Sequence, residues 1–249
     1  MPDSVILTSF FSKKIHPNSP QDSHVVGRKN DGRIENSFSY IKDWYNSIIK
    51  NNLFGVVFYD DLSEDFIKSY ENKNINFIKV EDSEYSNLDY RHFCSRDYLL
   101  TNKFKYVFHS DVSDVVVVKD PSELIKDNDS FTYFACKDSI KLNEFPYINV
   151  HEKFNWEDKV MFLLNENSWD LINMGVVGGR YEDMLNFYQK YCEIREKMGE
   201  KEFGQADMWI VQYLLRSIFR DKNTLIGDPM CSEFKKYQKE RKDVYFIHK

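Results

Sequence analysis

The chain has 249 residues, 42% hydrophobic and 16% aromatic, which suits one large domain or two small ones with a sizeable core. Its formal charge of -6 is spread over interleaved acidic and basic residues, so no basic stripe exists to track a phosphate backbone, and nucleic acid is not an expected partner. The four cysteines, Cys94, Cys136, Cys192 and Cys231, are far apart and fall in no Cys-x-x-Cys or Cys/His pattern; this fits a reducing compartment and offers zinc no home in the sequence.

The first apolar run, Val5 to Leu7 with Phe10 and Phe11 beyond, is too short for a signal peptide or a membrane anchor, and no later run is long enough either. A cytoplasmic location is therefore expected. Val5 to Thr8 is the first predicted strand, and Ser12 to Arg33, with Pro17, Pro20, Gly27 and Gly32, reads as a long loop. Phe38, Ile41, Tyr45, Ile48 and Ile49 recur at helical spacing, predicting an amphipathic helix over Ile34 to Asn51. Val56 to Tyr59 is a second strand, leading into Asp60 and Asp61. Asp61 and Glu64 have capping-box spacing for a helix through Phe66 and Ile67, which accounts for Asp61 and leaves Asp60 unexplained. A strand at Ile75 to Val80, a helix at Leu88 to Thr101 and a strand ending through Tyr106 to Phe108 follow.

This β-α alternation predicts an α/β fold with a mainly parallel, Rossmann-like sheet flanked by helices. The ends of its strands, at Thr8 and Ser9, at Asp60 and at Asp111, then share the edge where ligands bind in such sheets. Asp111 and Asp114 lie between Tyr106 to Phe108 and a short β-branched run, Val115 to Val118, which Pro121 closes. Two carboxylates at a strand exit can hold a hard divalent cation through oxygen; the plainer alternative is a solvated acidic turn.

Beyond Pro121 the pattern predicts a short helix around Leu124 and Ile125, a strand at Phe131 to Cys136, an irregular stretch with Pro146 and a helix through Trp156 to Leu164. A strand at Leu171 to Val177 then runs into Gly178, Gly179 and Arg180. Helices fit Glu182 to Met198 and Ala206 to Phe219, and the apolar run Val244 to Ile247 precedes His248 and Lys249. No repeat, low-complexity tract or linker appears, so a single domain is expected, with a nucleotide-type half over roughly residues 1–120 and an elaborated half after it.

Taken together, these motifs resemble the nucleotide-sugar glycosyltransferases of the GT-A fold. Asp114-Val-Val-Val-Val-Lys-Asp120-Pro121 is similar to the segment that starts at the second aspartate of their Asp-x-Asp motif, although the pair here is Asp-x-x-Asp. The resemblance implies Mn2+ or Mg2+ held by Asp111, Asp114 and a C-terminal His248. It also implies Arg96, in Ser95-Arg96-Asp97, reaching the donor sugar or diphosphate, and Asn173 and Gly175 of Asn173-Met174-Gly175 lining the sugar pocket. Thr8, Ser9 and Asp60 would hold the base and ribose, and Lys249 would contact the diphosphate. Asp207, which opens a helix, resembles an acceptor-side aspartate of the family, and Asp207 or Asp170 would serve as base in an inverting enzyme. The implied reaction moves a sugar from a nucleoside diphosphate, UDP by family habit, to a hydroxyl of a carbohydrate or glycoconjugate acceptor; inverting and retaining outcomes stay open.

Rival classes fit less well. A phosphohydrolase of the HAD type needs Asp-x-Asp spacing, which Val112-Ser113 breaks, and a sugar nucleotidyltransferase needs a Gly-rich loop after its first strand, where Thr8-Ser9-Phe10-Phe11 stands instead. A carbohydrate-binding or scaffolding protein that kept the fold without its chemistry is the remaining alternative.

Overall fold

A computed structural model describes residues 2–13, 33–145, 169–198, 201, 206–236 and 238–249. The predicted helix through Trp156 to Leu164, the stretch around Pro146 and most of the predicted loop from Ser12 to Arg33 lie outside these residues. Alternating strands and helices open the chain: β1 (Ser4–Phe10), α1 (Phe38–Lys50), β2 (Gly55–Tyr59), α2 (Glu64–Tyr70), β3 (Ile75–Lys79), α3 (Asn87–Thr101) and β4 (Tyr106–Ser110). The short β5 (Val115–Val117), α4 (Ser122–Asp127) and β6 (Tyr133–Lys141) follow, then β7 (Asp170–Arg180), α5 (Tyr181–Lys197), α6 (Ala206–Tyr213), β8 (Thr224–Ile226) and β9 (Phe246–His248).

The central sheet has seven strands in the order β3-β2-β1-β4-β7-β6-β8. β3, β2, β1 and β4 are parallel, while β7 runs antiparallel to both β4 and β6. The mainly parallel α/β sheet expected from the alternation is therefore present, with one reversed strand, β7, between β4 and β6. Strands covered on both faces read as continuous apolar runs, and β1 does: Val5 and Leu7 join the core under α3, α5 and α6, whereas Ile6 and Phe10 join the core under α1 and α2. Each fully buried side chain of this size contributes roughly 1.5–3 kcal/mol of transfer free energy.

Several boundaries move, for identifiable reasons. β1 continues to Phe10, so Thr8 lies inside the strand opposite Val57, buried, and not at the strand's end. The cap of α2 is Ser63, whose hydroxyl accepts from the Phe66 amide at 3.1 Å, and not Asp61. α1 begins at Phe38, after Ser37, four residues later than the pattern suggested. β7 extends through Gly178 and Gly179 to Arg180, paired with β4 and β6, and glycine is needed at 178 because a Cβ there would stand 2.2 Å from the Phe108 ring that crosses it from β4. The last predicted helix is α-helical only to Tyr213 and finishes as a π-helical turn, Leu214–Ile218.

β5 stays out of the main sheet and pairs antiparallel with β9 at the chain's end. α1 fixes it there: Ser47 Oγ accepts from the Val117 amide at 3.0 Å, and Asn51 donates to the Val117 carbonyl at 2.9 Å. This small ribbon sets the position of Asp114 on one side and His248 on the other. Among the described residues no helix is long and apolar enough to cross a membrane.

Candidate active site at the carboxyl edge of the sheet

β4 ends at Ser110, whose hydroxyl accepts from the Trp44 indole at 2.8 Å, and the next residue is Asp111. The Asp111 amide donates to the carbonyl of Gly175 on β7 at 2.8 Å, continuing the β4-β7 ladder by one rung and fixing where its side chain leaves the sheet. Two residues of turn lead to Asp114, whose carbonyl accepts from the Lys249 amide at 2.9 Å. In the β5-β9 register Val115 lies opposite His248. Topology thus delivers Asp111, Asp114 and His248 to one point, where one ligand atom from each lies within 4.8 Å of the others.

His248 is fully buried, and its Nε2 makes no hydrogen bond among the described residues. It stands 3.5 Å from Asp114 Oδ2 and 3.9 Å from Asp111 Oδ2, both carboxylates being half-buried. Burial alone would lower the pKa of the imidazole; the adjacent Asp114 charge outweighs it and raises the ring well above its ordinary value. Burial likewise acts to raise Asp114, but His248 holds it below the usual carboxylate range. The pocket therefore favours positive charge at Nε2. An orphaned imidazole nitrogen facing two carboxylate oxygens is a donor set that fits a hard divalent cation.

A third carboxylate completes the cluster through an arginine. Arg91 of α3 is buried and pairs with Asp111 Oδ1 through Nη1 and with Asp207 Oδ2 through Nη2, the latter at 2.9 Å. Asp207, in the first turn of α6, is also buried and accepts from the Met208 amide at 2.8 Å. Burial pushes its carboxyl up to about 7, against the opposing pull of Arg91. Three carboxylates thus gather around one guanidinium and one imidazole, and the oxygens of Asp111 and Asp114 turned to Nε2 are the ones suited to a cation.

The other residues expected at the site divide. Asn173 and Gly175 belong to it: the Asn173 amide donates to Asp138 at 2.9 Å and its oxygen accepts from the Gly175 amide at 2.8 Å, pinning the backbone beside Asp111. Asp60 lies at the same sheet edge, but its carboxylate accepts from the amides of Ser12 and Lys13, at 2.8 and 3.0 Å, and so ties down the chain leaving β1. Ser9 is partly exposed on β1, opposite Phe58 of β2. Thr8 is buried within β1 and its hydroxyl has no hydrogen-bond partner among the described residues. Lys249 directs its ammonium to Asp43 of α1. Asp170, at the start of β7, pairs with Lys137 and Lys141 of β6, and Lys141 leads in holding its pKa below the ordinary value.

Arg96 is not brought to this cluster. It pairs with Asp97 and Glu196 and lies over the Phe93 ring, on the side of α3 that faces α5. Arg91 is the arginine at the carboxylates: it lies on the buried stripe of α3 with Asn87, Ser95 and Leu99, spaced by four, whereas Arg96 is one position round from that stripe. The cysteines are a second departure. Cys136 and Cys231, 95 residues apart, have sulfurs 2.9 Å apart, and Cys136 Sγ lies 3.5 Å from His248 Nδ1. A Cys/His cluster that sequence spacing excludes is thus assembled by the fold.

Solved structures similar to this chain include the galactosyltransferase LgtC in complex with donor and acceptor sugar analogues, 13% identical with a TM-score of 0.54, over 98% of this chain and 86% of that one. The bifunctional glycosyltransferase WbbM, in its apo form, is also 13% identical, with a TM-score of 0.53, over 99% of this chain and 45% of that one. No protein-family model matches the sequence, and no curated protein does. The fold is accordingly the GT-A fold of nucleotide-diphospho-sugar transferases.

Proposed function

We propose that the protein is a glycosyltransferase that moves a sugar from a nucleoside-diphosphate sugar, a UDP-sugar in the first instance, to a hydroxyl of a carbohydrate or glycoconjugate acceptor. The convergence of Asp111, Asp114 and His248 at the carboxyl edge of the sheet carries this reading; the two similar glycosyltransferase structures support it. Asp111, Asp114 and His248 would hold Mn2+ or Mg2+, which when bound neutralises charge on the diphosphate oxygens and acts as a Lewis acid. Arg91 keeps Asp111 and Asp207 in fixed orientation by pairing with both, and it adds permanent positive charge at the edge where the leaving diphosphate develops negative charge. Asn173 and Gly175 hold the neighbouring backbone for the sugar.

Of the two candidate bases, Asp207 is the better placed. It belongs to the cluster, and a carboxyl raised to about 7 can accept a proton near neutral pH. Asp170 is neutralised by two lysines. Isothermal titration with UDP and Mn2+, on the native protein and on Asp111→Ala with Asp114→Ala, tests the reading: metal-dependent nucleotide binding lost in the double variant is the expected result, and binding that ignores both metal and substitution refutes it. A panel of nucleotide sugars screened for slow hydrolysis then identifies the donor, and binding with hydrolysis of none favours a carbohydrate-binding protein.

A further inference from the structure

His248 has two ring nitrogens, and only Nε2 faces the carboxylates. Nδ1 faces the opposite way, toward Cys136 of β6 and Cys231, and one ligand atom from each of these three residues lies within 4.8 Å of the others. All three side chains are at most 1% exposed. Strand pairing builds the cluster: β6 shifts register against β7 between Ala135 and Cys136, Cys231 bridges to Phe246 of β9, and His248 lies two residues further along that strand. The Phe234 ring packs on the imidazole with centroids 4.2 Å apart. The carbonyl of Ser232 stands 3.5 Å from the Cys136 sulfur.

We propose that Cys136, Cys231 and His248 Nδ1 form a second metal site, selective for a thiophilic divalent cation of the zinc class, which competes with the hard-cation site for His248. Zinc bonds of about 2.3 Å to sulfur and 2.0–2.1 Å to nitrogen place the two ligand atoms about 3.6 Å apart at a tetrahedral angle. The Cys136-to-Nδ1 separation of 3.5 Å meets this requirement, and the two sulfurs must part by less than about 1 Å from their 2.9 Å contact. Two thiols and an imidazole select soft cations, whereas two carboxylates and an imidazole select hard ones. Binding converts two thiols to thiolates and requires an unprotonated Nδ1, so protons are released and affinity rises with pH.

The competition follows from the chemistry of imidazole. The neutral ring has one unprotonated nitrogen at a time. A cation on Nδ1 confines the proton to Nε2, which then donates toward Asp111 and Asp114 and is no longer a ligand for Mn2+ or Mg2+. This part rests on the carboxylate-site reading above, while soft-cation binding does not.

Cadmium is the probe, because thiolate-to-cadmium charge transfer is seen directly in the near ultraviolet. Titration of the full, reduced chain is expected to give one equivalent with that absorption. Cys136→Ser and Cys231→Ala weaken binding by at least ~100-fold, and Cys94→Ser, Cys192→Ser and Asp111→Asn with Asp114→Asn retain it. Mn2+ bound to the native chain, followed by electron paramagnetic resonance, is displaced by one equivalent of Cd2+ but is not displaced in Cys136→Ser. Circular dichroism verifies that each variant is folded. Absence of the charge-transfer band, or a band indifferent to both Cys136 and Cys231, overturns the site. So does a thiol count in denaturant showing these two cysteines oxidised to a disulfide in the purified protein. Failure of Mn2+ to bind the cadmium-free chain refutes the carboxylate-site reading, and the cadmium band still decides the thiol site independently.

Discussion

Gly175→Ala is the smallest substitution that probes the candidate site. A Cβ at this position would stand 2.1 Å from His248 Cε1, 2.7 Å from Nε2 and 2.9 Å from Asp111 Oδ2. Comfortable carbon-carbon contact begins at about 3.5 Å, so the imidazole must retreat by about 1.4 Å, or β7 must move away from Asp111, whose amide donates to the Gly175 carbonyl. Metal sites tolerate ligand displacements of only about ±0.2 Å. A retreat several times larger should cost at least ~10–100-fold in Mn2+ affinity, about 1.4–2.8 kcal/mol, which is the scale seen when a ligand's support is disturbed. Overpacking a buried position adds about 1–3 kcal/mol of destabilisation. Mn2+ titration by electron paramagnetic resonance measures the first effect and urea unfolding the second. Adding His248→Ala to Gly175→Ala should restore stability without restoring metal, because it removes the ring with which the new methyl collides. A folded Gly175→Ala protein that binds Mn2+ within twofold of the native chain would refute the reasoning.

Other outcomes follow from buried charge. His109, on β4, packs beside His92 with ring centroids 5.1 Å apart, and no nitrogen of either ring has a hydrogen-bond partner among the described residues. Burial, aided by Arg91, lowers His109 to about 3, and burial also places His92 well below its ordinary value. Because the folded values lie below the unfolded 6.5, the neutral rings stabilise the fold above pH 6.5 and that contribution is lost as the pH falls toward 3. At pH 5 the loss through His109 amounts to about 2 kcal/mol, so urea unfolding of His109→Leu should lose about that much less than the native chain between pH 7 and pH 5; equal losses would contradict the assignment. Arg195→Met should destabilise by about 3–5 kcal/mol, since it strips Asp89, itself wholly buried, of a 2.8 Å ion pair; a cost below about 1 kcal/mol would show that the Tyr191 and Ser86 hydroxyls suffice. Arg91→Ala should destabilise more than Arg91→Ala combined with Asp207→Asn, because the single variant leaves the Asp207 carboxylate buried and unpaired, and unfolding curves of the two decide it.

The strands and their parallel order were legible because buried parallel strands leave an unbroken apolar run, as Val5 to Leu7 and Val56 to Phe58 do. Asp111, Asp114 and Asn173-Met174-Gly175 were legible as a polar cluster at the sheet edge because polar residues interrupt such runs at their ends. Arg91 was not, because α3 buries polar side chains: Asn87, Asp89, Arg91, His92 and Ser95 are all inside, and a helix with a polar buried face gives no amphipathic contrast to read. The Cys136, Cys231 and His248 cluster was hidden for another reason. Its members come from β6, a loop and the last strand, and only the pairing of β9 with β5 and with Cys231 brings them together.

The same pairing explains why Asp111 and Asp114, three positions apart where the resembled Asp-x-Asp motif has two, still converge on His248. Each aspartate has one oxygen engaged by the protein and one turned to the imidazole. Asp111 Oδ1 pairs with Arg91, leaving Oδ2 at 3.9 Å from His248 Nε2; Asp114 Oδ1 accepts from Ser113 at 3.4 Å, leaving Oδ2 at 3.5 Å. Asp111 is placed by the sheet through the Gly175 rung, whereas Asp114 is placed by the ribbon through the Lys249 amide. The extra residue between them spans the gap from sheet to ribbon. Shortening that turn by one residue would move Asp114 out of register with His248, so the spacing and the C-terminal histidine belong to one arrangement.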